Sequence, residues 1–303
     1  MVRVVTDSTS DLPLEVAKDL GITVVPAYVH IDGKSYRDGI DIGLDDIYRH
    51  LLDGAVHATT SAPAPGDFAE VYRRLSAETD GIVSVVVTSR QSAIYDSALV
   101  GKESIGGKCR IEVVDSQSAT MGLGLVAIAA ARRANEGATM DEVLEAAHRA
   151  VPRTYGMALL DTLKYALRGG RLSKAGVLVG SLVRVKPMLS IKSGLIGPSG
   201  VTRTREKGIE RLMEFVKKHL PIDDVSVVYS TSPGEAQTLA ESIQSLAPDS
   251  RPIMARLGSA LGVHGGPGTV AVAVRERDSE AKEEAEKKRV RRLSIPPLRR
   301  PRR

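Results

Sequence analysis

Short apolar runs alternate with helical segments along the first half of the chain. Residues 82–87 are almost continuously apolar, which is typical of a strand buried on both faces of a sheet. The other predicted strands lie at 2–6, 22–25 and 111–114, with helices at 13–20, 45–52, 65–78, 92–102, 119–135 and 140–151. Since strand–helix–strand order aligns successive strands in parallel, the pattern predicts an open, mostly parallel sheet with helices on both faces.

The pattern changes after residue 152. Residues 186–192 and 195–196 flank Ser193-Gly194 and predict a β-hairpin. Further helices are expected at 160–167, 174–182, 206–219 and 234–246, and further strands at 226–230, 252–257 and 269–274. We therefore predict an α/β protein with two α/β domains, the second with a mixed sheet. The expected boundaries are 1–152, 153–278 and a basic tail at 279–303.

The positive charge is concentrated at the end of the chain. The formal net charge is +5, but residues 275–303 alone carry +6 and residues 1–274 carry −1. A nearly neutral body argues against a nucleic-acid-binding face, and the absence of Trp with only two Phe argues against stacking platforms for single strands. Residues 289–303 hold seven arginines, three prolines and no acid, which predicts a disordered tail. Contact of this tail with RNA or an anionic membrane is the alternative.

Cofactor and targeting motifs are weak. Gly122-Leu-Gly-Leu-Val-Ala127 resembles a dinucleotide fingerprint, but residues 115–121 separate it from the preceding strand, so we expect these glycines to allow close helix packing instead. The histidines and the single cysteine, Cys109, lack metal-ligand spacing. A cytoplasmic protein is expected, because the chain has one cysteine, no signal-peptide pattern and no apolar run of bilayer length. We expect neither a metal nor a cofactor, since the motifs for both are weak.

Polar clusters occur where predicted strands end. They are Asp7-Ser8-Thr9, Thr59-Thr60-Ser61, Ser89-Arg90-Gln91-Ser92 and Asp115-Ser116. Hydroxyls at these places either cap the following helix or bind a ligand. If several meet at one sheet edge, backbone N–H groups at the helix starts can join them around an anion.

Two further features are candidates for anchoring an anion. His264 precedes Gly265-Gly-Pro-Gly268, which is either a plain turn or a turn that holds a polar group at a pocket mouth. Arg203 lies between the hairpin and a helix, where a guanidinium can pair with a carboxylate or phosphate, or remain solvated.

The same residues allow an enzymatic interpretation. Ser92, His264 and Asp115 are the residue types of a serine hydrolase. The chain lacks the G-x-S-x-G nucleophile elbow. A carboxylate clamp would use Ser92 and His264 as hydrogen-bonding groups without chemistry.

Taken in order, the motifs resemble those of the DegV family of bacterial fatty-acid-binding proteins. They are Val5-Thr-Asp-Ser-Thr-Ser-Asp-Leu-Pro13, Thr60-Ser61-Ala-Pro63, Ser89-Arg-Gln-Ser-Ala-Ile-Tyr-Asp-Ser-Ala98, Val114-Asp-Ser, Gly169-Gly-Arg171, Lys186-Pro187 and His264-Gly-Gly-Pro-Gly268, across residues 2–275. The resemblance implies a two-domain protein that buries one long-chain fatty acid between its domains. It also implies that the protein is not itself catalytic and presents the carboxylate to a separate ATP-dependent fatty acid kinase subunit.

The resemblance further implies the ligand-binding residues. Thr60, Ser61, Ser92 and His264 match positions at the carboxylate, and Arg203 matches a basic position tied to the lipid head group or the kinase. Ala93-Ile94 departs from the Gly-Thr that many members have after the second serine. For the acyl tunnel, residues 121–131 and 177–185 are the expected lining.

Overall fold

The computed structural model describes residues 1–54, 58–79, 81–107, 109–172 and 185–278. Its elements follow in chain order as β1 (Arg3–Asp7), α1 (Leu14–Asp19), β2 (Ile22–Val25), β3 (Tyr28–Ile31), β4 (Lys34–Arg37), α2 (Leu44–Asp53), β5 (Thr59–Ser61), α3 (Pro65–Ser76), β6 (Gly81–Val86), α4 (Ile94–Glu103), β7 (Arg110–Asp115), α5 (Met121–Asn135), α6 (Met140–Ala150), β8 (Thr154–Leu159), α7 (Lys164–Arg168), β9 (Lys186–Lys192), β10 (Leu195–Thr202), α8 (Arg205–Lys218), β11 (Ile222–Tyr229), α9 (Pro233–Leu246), β12 (Ile253–Arg256), α10 (Ser259–Gly265) and β13 (Val270–Glu276). The helix expected at 174–182, most of the lining segment at 177–185 and the tail at 279–303 lie outside the described residues.

A four-stranded parallel sheet forms from the first part of the chain. Its order is β2-β1-β6-β7, with every neighbouring pair parallel. All six residues of β6 are buried, because helices cover both faces of a central parallel strand. The predicted fold class is confirmed here.

A small antiparallel sheet, β4-β3-β5, stands beside the parallel sheet. The sequence pattern did not predict this sheet, because β5 has only three residues and pairs with β3 across about 30 intervening residues, as in Val29 opposite Thr60. This sheet carries Thr60 and Ser61 of the predicted site.

The second half of the chain builds a six-stranded mixed sheet of order β10-β9-β8-β13-β11-β12. Strand β8 was not predicted, and it lies between β9 and β13. On β13, Val270, Val272 and Val274 join the core shared with α8 and α9. Ala271 and Ala273, on the other face, join the core of the parallel sheet. Small residues on that face let the two halves pack closely.

Helix α5 lies between the two large sheets. It contacts β1 and β6 of the parallel sheet and β8, β11 and β13 of the mixed sheet. A helix with neighbours on all sides is apolar all round, which explains the nearly continuous apolar stretch seen in the sequence. At Gly124 a Cβ would lie 3.0 Å from the Ser10 carbonyl oxygen, so the predicted close-packing role of this glycine agrees with the structure.

Helix α10 comes from the second half of the chain but rests on the first. It contacts α2, β3 and β5, as well as α7. This placement brings His264, near the end of α10, to the strand that carries Thr60.

Candidate functional site

Two adjoining cavities lie between the parallel and the mixed sheets. The first, called here the apolar cavity, has a water-accessible volume of about 140 Å³. Residues from β8, β9, β10 and β13 form most of its wall, together with Leu160, Leu172, Leu257 and Leu261. Its surface is almost entirely hydrocarbon, so it suits an aliphatic ligand.

The second, called the polar cavity, has a water-accessible volume of about 160 Å³. Its lining includes hydroxyl and amide side chains, namely Thr9, Thr60, Ser61, Gln91 and Ser92. Five residues line both cavities: Ala119, Arg171, Ile196, Leu261 and His264. The two spaces therefore adjoin at His264, with apolar walls on one side of this residue and hydroxyls on the other.

The helix α5 lines neither cavity, contrary to the expectation for residues 121–131. The cavities are lined instead by Ala119 and Thr120, just before the helix. Met121, Leu123, Leu125 and Ile128 are fully buried core residues. Apolar character alone did not distinguish a core helix from a cavity wall.

Thr60 and His264 are in direct contact, 204 positions apart in the chain. The Thr60 Oγ1 and His264 Nε2 atoms lie 2.9 Å apart. The neighbouring Ser61 Oγ lies 2.8 Å from His30 Nε2, and His30 Nδ1 lies 2.8 Å from Ser35 Oγ. Thus β5 places two successive hydroxyls, each beside an imidazole, at one end of the polar cavity.

Ser92 precedes α4 and has a partly local role. Its Oγ accepts the Ile94 N–H at 3.3 Å, and the residue lines the polar cavity. The Ser92 hydroxyl therefore bonds the start of α4 and the residue lines the cavity, while ligand binding by Ser92 stays a prediction.

Asp7 is buried behind the wall of the polar cavity and bonds two residues of that wall. Its carboxylate accepts the Thr9 hydroxyl, and the backbone N–H groups of Thr9 and Val87 donate to it at 2.9 Å. Burial raises the pKa of Asp7 to about 6, against these hydrogen bonds. The carboxylate thus joins the end of β1 to Thr9 and Val87, which both line the polar cavity.

His264 is electrically neutral at pH 7. Burial lowers the pKa of its ring to about 4, and the nearby Arg171 guanidinium adds to this effect. Its Nδ1 has no hydrogen-bond partner among the described residues. Since an unpaired buried N–H is rarer than an unpaired acceptor, we place the ring proton on Nε2, which then donates to Thr60 Oγ1.

A glycine makes room for this ring. A Cβ at Gly169 would lie 1.9 Å from His264 Nδ1. The next residue but one, Arg171, donates from Nη1 to the Gly169 carbonyl at 2.7 Å. The motif Gly169-Gly170-Arg171 therefore packs against His264 and sets a guanidinium beside both cavities.

The two arginines have different positions. Arg203, predicted at the head group or the kinase, is exposed in the turn between β10 and α8 and lines neither cavity. Arg171 lines both, although the sequence analysis did not select it. The Gly-Gly-Arg motif was the available signal, since two glycines before an arginine permit a close approach to a neighbouring side chain.

The turn after His264 is structurally demanding. Gly266 has φ +78, and a Cβ there would lie 2.1 Å from the Tyr165 ring. Gly268 has φ +77, and a Cβ there would lie 2.2 Å from Asp161 Oδ2. The glycines fit the turn onto α7 and its preceding loop.

A hydrolase triad is not assembled. His264 Nε2 contacts Thr60, and its Nδ1 has no carboxylate partner in the described part of the chain. Asp115 Oδ2 accepts the Ser89 hydroxyl at 2.6 Å, and its Oδ1 accepts the Gln117 N–H at 2.7 Å. The three residue types are present, but each has another partner.

The described residues contain no cluster of three or more metal-ligating side chains. None of the helices within these ranges has the length and hydropathy to cross a membrane.

The sequence and fold together identify a known family. The chain belongs to the DegV family, whose model, "Uncharacterised protein, DegV family", matches residues 1–277. A DegV domain-containing protein from Caldanaerobacter subterraneus subsp. tengcongensis is 34% identical over 280 residues, 91% of this chain and 99% of the relative. The predicted family membership is confirmed.

Solved structures of the family share the fold. The structure of a DegV family protein from Thermus thermophilus, described as "Fatty Acid Binding", matches with a TM-score of 0.84 at 31% identity. The match covers 91% of this chain and 99% of that one. The crystal structure of DegV, "a fatty acid binding protein from Bacillus subtilis", matches with a TM-score of 0.83 at 26% identity and the same coverage. Both of those proteins are named for binding fatty acids.

Proposed function

We propose that the protein binds one long-chain fatty acid, with the acyl chain in the apolar cavity and the carboxylate in the polar cavity. The observation that carries this proposal is the junction at His264, where a hydrocarbon-walled space adjoins one whose lining includes four hydroxyl side chains and one amide. Such a pair of spaces matches an amphipathic ligand with one polar end. The two related proteins named for fatty-acid binding support the same ligand class.

The cavities are large enough for segments of a ligand. Each, at about 140 and 160 Å³, has roughly ten times the accessible volume that one water molecule needs, which is about 10–15 Å³. For a fatty acid of about 16 carbons, at roughly 0.8 kcal/mol per buried CH₂, the chain offers on the order of 12 kcal/mol of transfer free energy before binding costs.

The position of the His264 ring proton determines which group can donate a hydrogen bond to the ligand carboxylate. With Nε2–H donating to Thr60 Oγ1, the Thr60 hydroxyl keeps its own proton for a ligand in the polar cavity. Ser61 and Ser92 supply two more hydroxyls, and Arg171 supplies positive charge. His264 then acts mainly by orienting Thr60, a more indirect role than the sequence suggested. Direct contact of Arg203 with the head group finds no support in the cavity lining.

We also propose that the protein presents the carboxylate to a separate ATP-dependent kinase. The exposed residues at the polar cavity, Ser61, Ala93 and Arg171, leave this end accessible at the surface. Arg203 is exposed as well, and contact with such a partner is the role that remains for it. In this proposal the protein itself is not catalytic.

The hydrolase alternative has less support. A ring with a pKa of about 4 is a weak general base at pH 7. His264 also contacts Thr60, and Ser92 hydrogen-bonds the start of α4.

The test compares ligands that differ only in the head group. Delipidated protein is titrated with palmitate and with hexadecanol, and native mass spectrometry of freshly purified protein checks for bound lipid. We expect the wild type to favour palmitate, and Thr60→Val to reduce that preference about tenfold, because one charge-assisted hydrogen bond contributes about 1.5 kcal/mol.

Thr59→Val is the matched control, since Thr59 is an exposed neighbour on β5 outside both cavities. Its preference should equal that of the wild type. Failure of the wild type to bind either ligand would overturn the proposed function.

A further inference from the structure

The segment that leads into α10 is held by side chains from the beginning of the chain. Gly258 N–H donates to Asp11 Oδ1 at 2.9 Å, and Ser259 N–H donates to Asp38 Oδ1 at 2.9 Å. Two flanking contacts are made by the preceding residues: the Tyr48 hydroxyl donates to the Leu257 carbonyl at 2.8 Å, and Arg256 pairs with Asp45 at 2.5 Å. We call the side chains that make these four contacts, Asp11, Asp38, Asp45 and Tyr48, the seat of α10. Four consecutive residues, 256–259, are therefore each bound to the first half of the chain.

This seat sets the position of the helix. A seven-residue helix is too short to be stable by itself, so its contacts determine where it lies. Side-chain oxygens that accept its first free N–H groups cap it in the same way as a local N-cap residue. Here the caps come from residues more than 200 positions away in sequence.

The fit at the seat is tight. A Cβ at Gly258 would lie 2.8 Å from Asp11 Oδ1, and one at Gly262 would lie 2.7 Å from the Tyr48 hydroxyl oxygen. Asp38 is 4% exposed and Asp11 is 7% exposed. Burial raises the pKa of both carboxyls, although hydrogen bonds to the α10 backbone oppose that rise. Two buried acids are unfavourable in an ordinary core, and these two face the helix that carries His264.

We propose that Asp11 and Asp38 are positioning residues of the carboxylate site: by capping α10 they hold His264 Nε2 against Thr60 and so fix the hydroxyl that meets the ligand. The inference rests on the proposed function, because it assigns these acids a part in recognising the head group. They touch no ligand themselves. A shift of α10 would lengthen the 2.9 Å contact between His264 and Thr60 while leaving most of the apolar cavity wall in place.

The test measures head-group discrimination, the ratio of palmitate affinity to hexadecanol affinity, in the full chain. We expect Asp38→Ala to lower this ratio at least fivefold while hexadecanol affinity changes less than twofold. Asp38→Asn should keep most of the ratio, because its side-chain oxygen still accepts the Ser259 N–H. Asp46→Asn, at an exposed carboxylate of α2 that pairs with Arg49 and with none of residues 256–259, is the control and should match the wild type.

A second variant covers the case in which Asp38→Ala fails to fold. Gly258→Ala keeps both acids and an allowed backbone, since Gly258 has φ −64, but presses a methyl group against Asp11. It should lower the same ratio in the same direction.

The outcomes separate the two proposals. Equal loss of palmitate and hexadecanol binding in the variants would show a structural role only and overturn the positioning role. A normal ratio in both Asp38→Ala and Gly258→Ala would do the same. A wild type without any preference for palmitate would instead contradict the proposed carboxylate site, whatever the variants do.

Discussion

The ring of His264 loses most of its contact with water where α10 packs against β5 and the Gly169 loop, and this loss decides its chemistry. A charged imidazolium is disfavoured there, so the ring stays neutral and serves as a hydrogen-bonding group. Its partner is a hydroxyl rather than a carboxylate. The residue is therefore better suited to orienting a donor than to moving a proton.

The lowered pKa of His264 predicts a loss of stability in acid. The folded pKa is about 4, below the ordinary histidine value of 6.5, so the unfolded chain binds the proton first as the pH falls. The stability due to the neutral ring is present above pH 6.5 and is lost between about pH 6.5 and 4. His264→Gln lacks this dependence.

Urea unfolding at pH 7 and pH 4.5 checks the sign. Relative to His264→Gln, the wild type should lose about 2 kcal/mol between the two conditions, after allowance for partial exposure. Asp7, with its raised pKa, has the opposite pH dependence, but it is present in both proteins and cancels in the comparison. A constant difference between the two proteins would contradict the prediction.

At the scale of residues, four of the five site residues named from the sequence line the polar cavity, namely Thr60, Ser61, Ser92 and His264. Ser92 in a loop before a helix and His264 before a glycine turn are local signals, whereas Thr60 and Ser61 lie within β5 and were matched through the family motif. Arg203 has no such constraint, and its neighbourhood depends on how the hairpin lies on the rest of the protein. Whether each residue binds a carboxylate stays a prediction.

At the scale of elements, the turn between α10 and β13 is the most constrained connection near the site. Gly266 approaches the Tyr165 ring, and the Tyr165 hydroxyl donates to the Leu51 carbonyl at 3.0 Å. The turn, α7 and α2 thus form one packed unit behind His264. A side chain at the turn would displace all three.

Two glycine-to-alanine substitutions test this packing. Gly266→Ala should destabilise the protein by about 3 kcal/mol or more, because it combines a positive φ with a clash against an aromatic ring. Gly234→Ala, in the first turn of α9 with no atom within 4 Å of the added methyl, should be neutral or stabilise by up to about 1 kcal/mol. Thermal unfolding of both variants decides, and similar melting temperatures would refute the packing argument.

The strands that were missed share a physical reason. Strands β3, β4, β5 and β8 are short or rich in small and polar residues, and they pair antiparallel with partners that other contacts bring near. Such strands owe their form to tertiary pairing more than to their own composition. The parallel strands, by contrast, carry buried apolar runs that mark them in the sequence.

At the scale of the whole molecule, the proposed ligand would lie at the interface where the two large sheets pack. Helix α5 and the small residues Ala271 and Ala273 join the two large sheets, and the cavities lie beside this contact. A ligand in both cavities would touch residues from Thr9 to Val272. Most of the affinity should come from the acyl chain, and the head-group contacts should mainly set its orientation.

This division predicts how retention and transfer respond to one substitution. Ser92→Ala should weaken retention of palmitate less than fivefold, because the chain dominates affinity, but should impair acyl phosphate formation with ATP and a fatty acid kinase subunit more than tenfold. Lipid exchange rates and product formation are measured side by side. Ser97→Ala, farther along α4 and outside both cavities, is the control. Equal losses would contradict the division of roles.

The long-range capping of α10 also has a consequence for biosynthesis. Asp11 and Asp38 leave the ribosome early. The backbone N–H groups that donate to them belong to residues 247 and 221 positions later in the chain. A nascent chain therefore carries the seat long before it carries the helix that fills it. Thr60 likewise has no His264 beside it until translation has passed α10. The complete proposed head-group site exists only once that late segment has been made, so an unfinished chain would be unable to hold a lipid in the proposed way.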